Sequence, residues 1–167
     1  MLRKIITGGQ TGVDQAALRA ARDCGFDIGG WCPPGRECEA GIIPAEFPLQ
    51  ETPGERSPEA MDVPRSQRTE WNVRDSDGTL VITEGNANWS GARTLDVGTR
   101  WAMQCAEIYG KALLVSDVTD PQATEKIREW IERTPIKVLS VGGPAESTSP
   151  GIGDRAYRLL RGVFEDL

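Results

Sequence analysis

Apolar residues fall along the chain in two alternating rhythms. Short, unbroken runs rich in β-branched residues read as buried strands: Ile5 to Gly8, Thr79-Leu80-Val81-Ile82-Thr83, Ala112 to Ser116 and Lys137 to Val141. Phe26 to Trp31 is a further short strand, and Phe47 to Glu51 holds another. Between these runs, apolar positions recur at helical spacing in Asp14 to Asp23, Ser66 to Asp75, Arg93 to Tyr109, Asp120-Pro121 to about Arg133, and Gly153 to Phe164. Gly25 and Gly110 stand where helices stop, and Pro121 stands where one starts.

Strand, helix, strand, helix repeats along most of the chain. This predicts an α/β, Rossmann-like, doubly wound and mostly parallel sheet with helices on both faces, in three layers. One domain spans residues 1–167. The segment 32–69 is a proline-rich excursion, with seven prolines and little periodicity. It is long for an idle connection, which points to a working loop or a surface excursion.

Ligands of doubly wound sheets bind outside the carboxyl ends of the strands. Three glycine-bearing turns fall there: Gly8-Gly9-Gln10-Thr11-Gly12, Gly85 to Gly91, and Gly142-Gly143. Each offers unpaired backbone N–H groups beside a helix start, where phosphate is the usual guest. One ligand bridging the three turns is the simplest common account. The first turn is neither a dinucleotide fingerprint nor a P-loop, because it lacks the third glycine of the one and the Gly-Lys-Ser/Thr of the other. Asp14 follows it. In the second turn, Ser90 and Thr94 either cap the following helix, which starts near Thr94, or bind phosphate oxygens. Arg93 there suits a bidentate pair with an oxyanion, or else is a solvated surface arginine. In the third, Ser147 and Ser149 either donate to the anion or shape the turn, and Glu146 beside them is a further ligand-contact candidate.

Composition narrows the chemistry. The chain of 167 residues contains no histidine. Ser-His-Asp and Cys-His catalysis are therefore excluded, and acid–base work falls to Asp, Glu, Lys, Tyr or Cys. The best placed carboxylates for an enzyme are Asp14 and Glu84, with Asp77 also near a strand end. The four cysteines form no Cys-x-x-Cys pair. Cys24 and Cys105 read as small core residues. Cys32 and Cys38 lie in the proline-rich loop, as ordinary thiols or, for Cys32, as a ligand contact. A net charge of −6 argues against a nucleic-acid surface and leaves room for a small anion. No apolar run reaches membrane-spanning length, and residues 1–7 are too short and mixed for a secretory signal, so the expected compartment is cytoplasmic.

Four stretches carry a family resemblance: Gly8-Gly9-Gln10-Thr11-Gly12-Val13-Asp14, Gly30-Trp31-Cys32-Pro33, Arg68-Thr69-Glu70-Trp71-Asn72-Val73-Arg74-Asp75 with Ser76 to Thr79 following, and Gly143-Pro144-x-Glu146-Ser147. Over nearly the whole chain the sequence resembles the molybdenum carrier proteins, which are similar in fold to the phosphoribohydrolases once labelled lysine decarboxylases. The resemblance implies a Rossmann-like sheet, a homo-oligomer (dimer or tetramer) and binding of molybdenum cofactor, a phosphorylated pterin. It also implies cations at two positions where this chain has Pro34 and Ala145, which leaves Arg36, Arg68, Arg74 and Arg93 to supply the charge. The related hydrolases carry a catalytic glutamate three residues after a glycine-loop threonine. Thr94 matches the threonine, Val97 stands at the glutamate position, and Asp96, one helical step away, should point elsewhere.

Within Ser66 to Asp75, Glu70 and Arg74 have i,i+4 spacing for an ion pair. The segment reads as a structural helix or as a ligand contact through Arg68 and Asn72. The leading expectation is a non-catalytic binder of molybdenum cofactor or a similar phosphorylated pterin. The alternatives are a hydrolase or a sensor acting on a phosphorylated nucleotide.

Overall fold

The β-branched runs form the interior of a parallel sheet. In the computed structural model, which describes residues 1–85 and 95–167, the elements run β1 (Lys4–Ile6), α1 (Val13–Asp23), β2 (Asp27–Gly29), β3 (Trp31–Cys32), β4 (Glu37–Cys38), β5 (Gly41–Ile42), β6 (Gln50–Glu51), α2 (Ser66–Arg74), β7 (Gly78–Thr83), α3 (Val97–Ile108), β8 (Ala112–Asp117), α4 (Ala123–Arg133), β9 (Val138–Gly142) and α5 (Ile152–Phe164). The main sheet has the order β2-β1-β9-β7-β8, with every pairing parallel. Counted from β7, that order is 2-1-3-4-5, one of the two common doubly wound arrangements. Met1, Leu2 and Leu167 line one surface pocket, so the chain ends lie side by side.

Helices cover both faces. The alanines of α1 (Ala16, Ala17, Ala20 and Ala21) are fully buried. They share one core with Ile127 and Ile131 of α4 and Ala156, Leu160 and Val163 of α5. The opposite face packs Val73 of α2 against Trp101, Cys105 and Ala106 of α3. Cys105 is buried as expected, and burial pushes its thiol up to about 12. No helix among the described residues is long and apolar enough to cross a membrane.

Three boundaries differ from the sequence reading. The strand expected over Phe26 to Trp31 is split at Gly30 into β2 and β3, and β3 leaves the main sheet to pair with β6 inside the excursion. The helix expected from Arg93 begins only at Val97, where the Asp96 carboxylate accepts from Thr99 N at 2.9 Å. The Asp120-Pro121 start lies in a turn, and α4 begins at Ala123.

Candidate functional site

Counted from β7, the strand order reverses between β7 and β9, so a crevice opens beyond their carboxyl ends. A cavity of about 70 Å³ runs from that crevice along the sheet face, between α2, α3 and the sheet. Its floor includes Thr79 of β7 and Ser140 of β9, which face one another in register. Both are buried, at 1% and 5% exposure. Its walls come from Arg68 and Asn72 of α2, from Asp96, Gly98 and Thr99 at the start of α3, from Asp14 at the start of α1, and from Gly8, Gly142 and Gly143 of the glycine turns.

Arg68 ties α2 to the first turn. Its Nη1 donates to Asp14 Oδ2 at 3.1 Å, and Gln10 N donates to the same oxygen at 3.2 Å. The guanidinium and its stem lie where a β-carbon on Gly8 would sit, 2.1 Å from Nη1, so only glycine leaves room for the arginine. Burial raises the Asp14 carboxyl from 3.8 to about 6, against the lowering pull of Arg68 and of the Gln10 N–H; Asp96 adds a smaller upward push.

The first and third turns interlock. Gly12 has φ +78°, and a β-carbon there would meet Pro144 O at 2.4 Å. Val13 N donates to Pro144 O at 3.2 Å, and Glu146 N donates to Thr11 Oγ1 at 3.1 Å. Glu39, from the tip of the β4–β5 hairpin, reaches across both turns. Its carboxylate accepts from the hydroxyls of Thr11 and Ser147, and from Ser147 N at 3.0 Å. Those bonds, from Ser147 first and then Thr11, hold the Glu39 carboxyl below the usual range. The turns thus carry donors that converge on an anion, and in this chain the anion is the protein's own.

A model of the circularly permutated YpsA SLOG family matches residues 5–164. The chain belongs to that family. The strand order fits the description, because the doubly wound sequence of strands begins at β7 and closes across adjacent chain ends. A crystal structure titled "Putative molybdenum carrier protein", from Syntrophus aciditrophicus SB, is 36% identical. The match covers 97% of this chain and 94% of that one, with a TM-score of 0.83. No curated protein is significantly similar to the chain.

In this permuted YpsA SLOG chain, the sequence candidates divide into those at the crevice and those away from it. Gly8, Asp14, Arg68, Asn72, Gly142 and Gly143 line the cavity. Gly9, Gln10, Thr11, Gly12, Glu146 and Ser147 build the interlocked corner beside it. Gln10 is buried, with its Oε1 accepting from Thr11 N and Glu39 N. Glu146 bonds Gly151 N at 2.6 Å and Gly153 N at 3.4 Å, so it caps α5 and does not face outward. Ser90, Gly91, Arg93 and Thr94 lie outside the described residues.

Cys32 and Arg36 do not reach the cavity. Cys32 is fully buried among Leu18, Cys38, Ile43, Phe47 and Leu49, and burial pushes its thiol up. Arg36 donates to the carbonyls of Leu49, Pro44 and Phe47, which fastens the excursion to itself. Among the described residues, no group of three or more His, Cys, Asp or Glu is placed to hold a metal.

Other roles also change. The Asn72 amide bonds Trp31 on both sides, accepting from its N–H and donating to its carbonyl, each at 2.9 Å. In place of the expected Glu70–Arg74 pair, each residue takes other partners. Glu70 accepts from Tyr109 at 2.7 Å, which raises that phenol to about 12, while Arg74 pairs with Asp75 and stacks on Trp71. Glu84 is held by Arg155 and by Ser149, and the Arg155 hydrogen bonds lower its pKa. Asp96 does line the cavity, because it precedes the helix and does not follow its rotation. Sequence reasoning missed Glu39, Thr79 and Ser140. Hydroxyls in interior strands of a parallel sheet were the available signal for the last two.

Proposed function

We propose that the protein is a non-catalytic binder and carrier of a phosphorylated pterin of the molybdenum-cofactor class, seated in the crevice beyond β1, β7 and β9. The observation that carries this reading is the convergence of Thr11 and Ser147 donors on the Glu39 carboxylate. Two turns 135 residues apart form one anion receptor, set beside the cavity at the strand-order reversal. A phosphate group takes the position of that carboxylate, and the ring system lies toward the cavity. A β-carbon on Gly8 or Gly143 would collide with Arg68 or with the Ile82 carbonyl, so these glycines let the walls of the crevice pack closely. The carrier name of the solved relative supports the ligand class. The metal in this reading is cargo, held by the pterin.

The test uses protein expressed in a host that makes molybdenum cofactor. Bound small molecules are released and oxidised, pterin is measured by fluorescence, and molybdenum is measured by mass spectrometry. The expected result is pterin and molybdenum in stoichiometric proportion to protein. Empty protein, or protein carrying only a nucleotide, contradicts it.

One observation favours a second reading, a hydrolase acting on a nucleotide. Asp14, with a pKa of about 6 and a place on the cavity wall, can exchange a proton near neutrality. Glu84, bound by Arg155, is poorly suited to that role. Turnover of a nucleoside monophosphate that is lost in Asp14→Asn is the result that establishes this alternative.

A further inference from the structure

Interior strands of a parallel sheet covered on both faces are ordinarily apolar. Here Thr79 and Ser140 place two hydroxyls side by side beneath the cavity. Thr79 is 1% exposed, and among the described residues its Oγ1 has no hydrogen-bond partner. Arg68 Nε is also buried without a partner among those residues. Unmet polar groups of this kind are rare, and two around one cavity call for a ligand that meets them.

The arrangement of donors and acceptors narrows the ligand. Among the described residues, Gln10 N and Arg68 Nη1 donate to Asp14 Oδ2, and the backbone N–H of Gly8 also faces the carboxylate. Asp14 and Asp96 against Arg68 leave the described lining one negative charge in excess. This favours a donor-rich, uncharged edge over an anion. The wall therefore presents a carboxylate acceptor beside a guanidinium donor. With room for about five waters, the cavity takes roughly one ring edge.

We propose that this cavity reads the amino-oxo edge of a nitrogen heterocycle, the edge common to pterin and guanine, with Asp14 accepting from the ring N–H and exocyclic amine and Arg68 donating to the ring carbonyl. Thr79 supplies a further hydrogen bond at the floor. The assignment rests on the ligand-binding reading above and sharpens it, because adenine presents the opposite pattern and is refused.

Calorimetric titration of the emptied full-length protein tests it, with guanosine, inosine and adenosine monophosphates and a pterin monophosphate as probes. Inosine monophosphate differs from guanosine monophosphate only by the missing amine. The pterin and guanosine compounds are expected to bind about tenfold or more tightly than the other two. Asp14→Asn is expected to remove the guanosine–inosine difference. Thr79→Val, which keeps shape, is expected to weaken pterin binding about threefold. Equal binding of all four probes overturns the edge assignment and leaves the carrier reading standing. Discrimination that survives in Asp14→Asn overturns the role of Asp14. Binding of none of the probes overturns both the assignment and the reading beneath it.

Discussion

Arg68 and Asp14, 54 residues apart, meet at 3.1 Å across the bare face of Gly8. The pair joins α2 to the start of α1, and it closes one wall of the cavity. The side chains are 14% and 8% exposed, so the contact is shielded from solvent and sensitive to small displacements. Gly8→Ala pushes the guanidinium off its partner. The expected loss of stability is on the order of 2–3 kcal/mol, read as a lowered denaturation midpoint. Unchanged stability would show that the arginine shifts without loss.

The raised Asp14 carboxyl gives the fold a defined pH response. Between 3.8 and about 6 the folded chain holds a proton that the unfolded chain has released. Stability from this group therefore falls as pH rises through that window and is flat above it, a change of about 3 kcal/mol in all. Chemical denaturation from pH 4 to 8 should show this decline in the wild type relative to Asp14→Asn. Parallel curves for the two proteins contradict it.

Two positive-φ glycines differ in what surrounds them. Gly25, at φ +82°, has open space where a β-carbon would go, whereas Gly12, at φ +78°, faces the Pro144 carbonyl at 2.4 Å. Gly25→Ala is expected to lose about 1 kcal/mol, from backbone conformation alone. Gly12→Ala should lose at least about 3 kcal/mol, because its φ/ψ of +78°/−125° suits only glycine and because the two turns must separate. Equal losses in thermal melts would mean that the interlock contributes nothing.

Asn72 holds the backbone of Trp31 by two hydrogen bonds, and Trp31 packs edge-on against Trp71 with ring centroids 4.8 Å apart. Asn72→Ala is expected to lose about 2 kcal/mol and to shift tryptophan emission to the red as the pair loosens. Unaltered emission with full stability would deny Asn72 its structural role.

Glu39 competes with any external anion for Thr11 and Ser147. Glu39→Gln removes that charge and should tighten the binding of a pterin monophosphate about threefold at low salt, in keeping with the modest worth of exposed charge contacts. Weaker binding in the variant would place the phosphate elsewhere.

The fold was legible because its signals are local. Runs such as Thr79 to Thr83 and the alanine face of α1 declare their elements within a few residues. The glycine turns were legible as turns for the same reason. The site was legible only where a residue's partner could be guessed from nearby sequence. Arg36 looked like a free cation, yet carbonyls of the excursion surround it. Asn72 looked like a ligand contact, yet a strand 41 residues away takes both ends of its amide. Glu39 sits in a stretch with no periodicity, and its reach to Ser147 depends on the whole sheet order. Long-range contacts of this kind have no local signature.

The most direct test of the account is a calorimetric titration of pterin monophosphate into the wild type and Ser147→Asp. Ser147 is exposed, away from the core, and the substitution removes its hydroxyl donor and puts a second carboxylate into the corner beside Glu39. One ligand per chain in the wild type, with affinity lower by about tenfold or more in the variant, is the predicted result. No binding to the wild type, or equal binding to both, contradicts a phosphate seat between the first and third turns.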